Sequence, residues 1–153
     1  MNRPAVAPPN WEELAAVSFG GAIGACLRYG AAQRIGDHWH RLFPLSTLAI
    51  NLTGSFILAF FLTAIAVRTE RWKRWRLFFA TGVLGAYTTF STFSVETAHL
   101  LRDHHWLIAG GYIAASLAGG MLAAGLGYLT SERIVVRGEF SRSEYTQDES
   151  DSR

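Results

Sequence analysis

Four long apolar stretches constrain what this 153-residue chain can fold into. They cover residues 14–35, 45–67, 77–101 and 106–129, are 22 to 25 residues long, and consist mostly of Ala, Leu, Ile, Phe and Gly. About 20 such residues cross the hydrocarbon core of a bilayer as a helix, which satisfies its backbone hydrogen bonds internally. The sequence therefore predicts an all-α integral membrane protein with four transmembrane helices.

Polar segments lie at both ends of this membrane domain. Residues 1–13 precede the first stretch, and residues 130–153 follow the last one. The tail mixes Ser, Glu, Arg and Asp with few apolar residues, so we expect it to be disordered. At the other end, Asn10 is expected to cap the first helix, with Glu13 completing a capping box. The predicted organisation is one membrane domain, residues 14–129, between two polar ends.

The third stretch contains a run rich in glycine and hydroxyl groups. Residues 82–96 read GVLGAYTTFSTFSVE. Lipid offers no hydrogen bonds, so polar groups at this depth persist only where protein or water surrounds them. Gly85 and Thr88 belong to the part of the run that least favours an α-helix, which predicts that the third helix is broken near its centre. A break releases backbone carbonyls, and these need water, a neighbouring helix or a cation as partner.

Polar and aromatic side chains recur at helical spacing on three of the four stretches. The stripes are Thr47, Asn51 and Ser55 on the second, Phe90, Phe93 and Ser94 with Glu96 on the third, and Tyr112, Ser116 and Gly120 on the fourth. Aligned donors indicate a pathway for something polar. Two alternatives stay open. Ser and Thr can bond to their own helix backbone, and small or aromatic residues can serve helix packing or face lipid.

Charge and motifs limit the class of protein. The sequence has no nucleotide-binding loop, nucleophile elbow or metalloprotease signature, so we expect no enzyme. The net charge is only +2, and the basic segment 68–76 carries two Trp residues, which suits lipid headgroups rather than nucleic acid. Arg28 stands inside the first stretch, where it either extends to the membrane surface or makes an entrance electropositive for anions.

Three motifs carry a resemblance to a known family. They are GGAIGACLRY at 20–29, TLAINLTGSF at 47–56, and the run at 82–96 with its TTFSTFS core. Together they resemble the Fluc/CrcB family of small bacterial fluoride channels, and the similarity covers residues 14–129. The resemblance implies an antiparallel dimer in the inner (plasma) membrane that exports fluoride passively. Its partners would be fluoride, membrane lipid and a second subunit, with no nucleic acid.

The resemblance also assigns roles to individual residues. It implies a structural sodium ion held by backbone carbonyls at the break in the third helix, and these match Gly85 and Thr88. Together with Thr47 and Ser94 from the stripes, it gives a predicted fluoride pathway of Arg28, Thr47, Asn51, Phe90, Phe93, Ser94, Glu96, Tyr112 and Ser116. The match is weakest on the fourth stretch, where Gly120 stands at a position at which some relatives have a hydroxyl.

These residue types suit fluoride. The ion is small and strongly hydrated, so a selective path must replace its water with hydrogen-bond donors that do not trap it. Amide and hydroxyl groups meet that requirement. Phenylalanine contributes through its ring edge, the positive part of the aromatic quadrupole, while its bulk narrows the path against chloride.

Two functions from different classes of protein remain as alternatives. A small multidrug-type exporter of cations would need a carboxylate in mid-membrane, whereas the first stretch carries Arg28 and Glu96 is expected toward a helix end. A structural membrane subunit would need tight helix faces but no aligned donors.

The distribution of basic residues raises a question about the second subunit. Of the 14 Lys and Arg residues, ten lie on the side of the termini and the 68–76 loop, and three lie on the opposite side. Basic residues favour the cytoplasmic side, so the chain is expected to insert mainly with both termini inside. An antiparallel dimer needs both orientations. The partner is therefore predicted to be an oppositely inserted paralogue, and the alternative is a dual-topology homodimer.

Overall fold

The computed structural model describes residues 10–38, 42–66 and 72–136, and every regular element in those ranges is helical. The elements are α1 (Trp11–His38), α2 (Leu45–Ala66), α3 (Lys73–Arg76), the π-helix π1 (Leu77–Leu84), α4 (Gly85–Tyr87), α5 (Phe90–Arg102), α6 (Trp106–Ser131) and the π-helix π2 (Glu132–Val136). The predicted all-α class is confirmed.

Three of these helices are long and apolar enough to cross a membrane without interruption, namely α1 as far as Gly36, α2, and α6 with its continuation. The third predicted stretch, residues 77–101, is helical in two parts, because Thr88 and Thr89 leave the helical conformation. The four predicted helical segments are thus present, and the third is the interrupted one. The π-helical form of its first part was not predicted.

The helix ends differ from the predicted ones at both polar ends. Residues 11–13 belong to α1 and do not form a separate polar segment, and residues 130–136 continue helically from α6 although they were assigned to a disordered tail. Ser131 is fully buried and apolar Ile134 and Val135 follow it, so this stretch still suits a packed and lipid-facing environment. The predictions for residues 1–9, 67–71 and 137–153 lie outside the described residues.

Close backbone contact at glycines fixes how the helices pack. Gly20 and Gly24 of α1 lie on one helix face, and a Cβ added to either would collide with the backbone of π1 at Phe78 or Val83. Gly127 of α6 meets the backbone of α2 in the same way. Small residues therefore allow α1 to pack on the first half of the third segment and α6 to pack on α2.

A tight turn joins α5 to α6. His104 adopts a left-handed backbone conformation with φ of 62°. The amides of Asp103 and His105 each donate at 2.9 Å to carbonyls in the last turn of α5, those of His99 and Leu100. This short connection makes α5 and α6 antiparallel neighbours. It brings the middle of α5 next to the second turn of α6.

The start of α1 is joined to the start of the third segment. Asn10 caps α1 as predicted, because its Oδ1 accepts from the backbone amide of Glu12 at 3.1 Å. Glu13, expected to complete a capping box, forms an ion pair with Lys73 at 2.9 Å. Glu12 pairs with Arg74 at 2.8 Å. These two pairs place the first turn of α1 beside α3.

Candidate ion pathway

The helix break is held by one side chain from α2. Thr88 and Thr89 are extended, with ψ of 155° and 118°, while Gly85 is still helical. The amide of Asn51 pairs with the backbone of Thr89 at both ends. Its Nδ2 donates to the Thr89 carbonyl at 2.9 Å, and its Oδ1 accepts from the Thr89 N–H at 2.8 Å. Asn51 thus replaces the helical partners that this backbone has lost.

The break also leaves two backbone carbonyls without the donors that they would have in an α-helix. In an α-helix, the Gly85 carbonyl would accept from the Thr89 amide and the Thr88 carbonyl from the Thr92 amide. Here the Thr89 amide donates to Asn51, and the Thr92 amide donates at 3.1 Å to Oγ1 of Thr89, which caps α5. Both carbonyls that were matched to a sodium site are therefore released from α-helical pairing.

An open cavity of about 280 Å³ lies beside the break. Its walls come from α2, the break, α5 and α6, and the lining residues are Asn51, Ser55, Leu58, Thr88, Thr89, Phe90, Phe93, Ser116 and Leu117. Oγ of Ser116 is buried and has no hydrogen-bond partner within the described part of the chain. Uncharged polar groups thus lie beside aromatic and aliphatic ones in the cavity wall, and the Ser116 hydroxyl among them has no partner within the described ranges.

A row of aromatic rings leads from the cavity into the protein. The ring centroids of Phe90 and Phe93 are 5.7 Å apart, and those of Phe93 and Tyr112 are 5.1 Å apart. Phe43 packs against Tyr112 at 5.5 Å in an edge-to-face arrangement. Phe90 is 79% exposed, whereas Tyr112 is fully buried. The row therefore runs from the surface to the core.

Glu96 lies at the inner end of this row and accepts two hydroxyl hydrogen bonds. Oγ1 of Thr47 donates to its Oε1 at 2.9 Å, and the hydroxyl of Tyr112 donates to its Oε2 at 2.7 Å. We call Thr47, Glu96 and Tyr112 the Glu96 cluster. Glu96 lies toward the end of the third stretch as a whole, as predicted, but in the middle of α5, which ends at Arg102. The break makes α5 a separate helix, so its midpoint lies halfway between the break and the next turn.

A comparison with known proteins decides the family. The model of the family described as CrcB-like protein, Camphor Resistance (CrcB), matches residues 15–128, which is most of the chain. The chain belongs to the CrcB family. The resemblance that the three motifs indicated is therefore confirmed.

Curated relatives of this CrcB chain carry a common name. A Bacillus thuringiensis subsp. konkukian protein named Fluoride-specific ion channel FluC 1 is 45% identical over 119 residues, which cover 78% of this chain and 87% of that protein. A Bacillus cereus protein of the same name is 42% identical over the same shares. Fluoride-specific ion channel FluC of Chloroflexus aurantiacus is 43% identical over 118 residues, covering 74% of this chain and 90% of that protein.

The structure sorts the predicted pathway residues of the CrcB chain into groups. Four line the cavity, namely Asn51, Phe90, Phe93 and Ser116, and three form the Glu96 cluster. Arg28 stands apart, because no residue of α1 lines the cavity. Ser94 also stands apart: its Oγ donates to the carbonyl of Phe90 at 2.9 Å, and it lines a second groove of about 350 Å³. Ser94 thus fits the alternative of bonding to its own helix.

Sequence reasoning missed three residues that shape this CrcB site. Thr89 is buried, caps α5 and binds Asn51, which its position just before an apolar helical run could have signalled. Ser55 lies on the same stripe as Asn51 and lines the cavity, although it is not among the predicted pathway residues. Gly54 packs against Thr88, and no periodicity signals that contact.

Proposed function

We propose that this chain is a fluoride-selective ion channel through which fluoride leaves the cell passively. The observation that carries the proposal is the cavity at the helix break, where the Asn51 amide, the unpaired Ser116 hydroxyl and two Phe rings meet. Curated relatives at 42% and 45% identity are named fluoride-specific ion channels, which supports it.

The groups in the cavity suit a small anion. Asn51 keeps a second N–H after it has donated to Thr89, and Ser55 and Ser116 add hydroxyl donors. None of the lining residues carries a positive charge, so an anion would be bound weakly enough to be released. Edge-on rings of Phe90 and Phe93 would add favourable contacts while limiting the width.

The Glu96 cluster would form the next step of the path. A fluoride ion that passes Phe93 meets the hydroxyls of Thr47 and Tyr112, which donate to Glu96. A carboxylate repels an anion, so this region is a barrier unless those donors turn from Glu96 toward the ion. In this proposal each of the two hydroxyls donates its hydrogen bond alternately to Glu96 and to the passing fluoride.

The break also fits the structural sodium ion implied by the family resemblance. The Gly85 and Thr88 carbonyls have lost their α-helical donors, and a hard cation such as sodium takes oxygen ligands. Bound there, the ion would supply a fixed positive charge beside the path.

The surface around the break is exposed and is where the second subunit of the proposed antiparallel dimer would pack. Phe90 is mostly exposed in the single chain. Gly85 is exposed as well, and a Cβ added there would make only an ordinary contact of 3.7 Å with the Ala80 carbonyl. A second subunit, either this chain or an oppositely inserted paralogue, would cover this surface.

Topology reporters fused after Arg153 distinguish these two partners. Signals from both sides of the membrane, with conduction by this chain alone, indicate a dual-topology homodimer.

Ion efflux from liposomes tests the proposed function. We expect the purified chain to release fluoride rapidly and chloride hardly at all. Equal efflux of the two ions would overturn the proposal. Folded protein that releases neither ion indicates either a structural subunit or an incomplete heterodimer. Co-expression with a paralogue separates the two, because only an incomplete heterodimer would then regain fluoride efflux. A cation exporter is disfavoured because both oxygens of Glu96 are hydrogen-bonded and Glu96 does not line the cavity.

A further inference from the structure

Three consecutive residues at the helix break are each held by a different residue of α2. The pairs are Thr53 with the Tyr87 hydroxyl at 3.1 Å, Gly54 with the Thr88 methyl group, and Asn51 with the Thr89 backbone. Asn51 and Gly54 are three residues apart and share one face of α2, which meets the break by a two-point backbone pairing and a steric fit. Thr53 adds a side-chain hydrogen bond from a neighbouring face.

Gly54 is the point at which this fit tolerates no side chain. It is buried, and a Cβ added to it would lie well under 3.0 Å from Cγ2 of Thr88, a separation that real Cβ atoms essentially never show. The same Cβ would lie 3.3 Å from the ring of Tyr87. Oγ1 of Thr88 donates to the Leu84 carbonyl at 3.0 Å, and this bond holds the methyl group in its rotamer. A larger residue at position 54 is therefore expected to move the break away from α2.

We propose that Gly54 is a positioning residue for the helix break. Its missing side chain admits the Thr88 methyl group into the surface of α2, and this seats Thr89 within reach of both ends of the Asn51 amide. When the break is displaced, the 2.8 Å and 2.9 Å bonds to Asn51 lengthen, and the Thr89 amide is free to return to the Gly85 carbonyl. The functional consequence rests on the proposed fluoride conduction, whereas the packing does not.

A rescue experiment follows from the identity of the clashing atom. Gly54→Ala should lower fluoride efflux by about tenfold or more, because overpacking shifts the backbone. Thr88→Ser removes the methyl group but keeps the hydroxyl, which donates to the Leu84 carbonyl at 3.0 Å. Thr88→Ser alone should therefore keep the helix break in place, and it sets the baseline for the double variant. The double variant should regain most of the efflux of Thr88→Ser, which is a non-additive result expected only for residues in contact.

Gly119→Ala provides the matched control. Like Gly54→Ala, this variant adds a methyl group to a helix contact, here the contact between α6 and α2. The added methyl group would lie 2.9 Å from the flexible side chain of Leu52 and would not touch the break. Thr88→Ser should not improve this variant. Equal improvement of both alanine variants would mean that Thr88→Ser acts generally, and would overturn the proposal.

Amide hydrogen exchange gives a readout that does not depend on conduction. In Gly54→Ala, exchange in a peptide spanning residues 86–91 should become faster, while exchange in α6 should stay near the wild-type rate. Faster exchange throughout would indicate general destabilisation and contradict a positioning role. If Gly54→Ala is not recovered as folded protein, the double variant decides, and its failure to fold overturns the proposal. A wild type that does not conduct fluoride refutes the proposed function and leaves the exchange result valid.

Discussion

The helix break and the Glu96 cluster satisfy buried polar groups in two different ways. At the break, the Asn51 side chain pairs with backbone groups of Thr89, so the path of the main chain depends on one amide. In the Glu96 cluster, a carboxylate pairs with two hydroxyls while the helices that carry them remain intact. A substitution at the break should therefore change the structure, whereas one in the cluster should change the chemistry of the path and leave the backbone in place.

The largest effect is expected at Asn51. Asn51→Ala leaves both the N–H and the carbonyl of Thr89 without a protein partner, which should cost about 2–5 kcal/mol of stability. We expect a lower thermal unfolding temperature in detergent and loss of fluoride efflux. Ser55→Ala, one turn along the same face, is the control and should retain stability. Normal unfolding of Asn51→Ala would mean that the break does not depend on the amide, and would remove the contrast between the two regions.

A smaller effect on stability is expected in the Glu96 cluster. Glu96→Ala leaves two hydroxyls without their acceptor and should cost about 1–3 kcal/mol. Glu96→Gln keeps the shape and one acceptor oxygen, so it should cost less than about 1 kcal/mol. Because the charge is gone, the ratio of chloride to fluoride efflux should rise in Glu96→Gln. An unfolding temperature as low as that of Asn51→Ala would show that the cluster also determines the backbone.

The two phenylalanines sharpen the same comparison, since they differ in burial. Phe93 is half-buried and contacts Tyr112, so Phe93→Ala should lower stability by about 1–2 kcal/mol. Phe90 is exposed in the single chain, so Phe90→Ala should leave unfolding nearly unchanged. Both variants should lose discrimination between fluoride and chloride. Retained selectivity in both would assign the rings to packing or lipid contact alone.

The smallest effect within the chain is expected at Gly85. The structure leaves room for a Cβ there, so Gly85→Ala should fold normally. If efflux nevertheless falls, the cause lies in a second subunit or a bound cation. Unfolding of the wild type in sodium and in choline separates these, because stabilisation by sodium supports the cation site. Gly85→Ala keeps the backbone carbonyl, so it should retain that stabilisation when the second subunit alone is affected. Equal unfolding in both salts would argue against the cation site.

Much of this architecture follows from the order of residues along the chain. Apolar length predicted the helical segments, and the poor helix-forming run around Thr88 predicted the break, because both are local properties. The two π-helices were not predicted, since a shift from the i−4 to the i−5 carbonyl has no clear mark in composition. The helical continuation through residues 130–136 was missed because its polar residues resemble a tail until Ser131 is seen to be buried.

The sequence by itself determined the class of protein, its family and the faces on which its polar residues lie, because helical periodicity is a property of one segment. Only the tertiary structure decided which faces meet. Thr47 and Glu96 are 49 residues apart in sequence, and Asn51 and Thr89 are 38 apart. Their pairing depends on how far each helix is rotated and shifted against its neighbour, and close packing at glycines sets those two quantities.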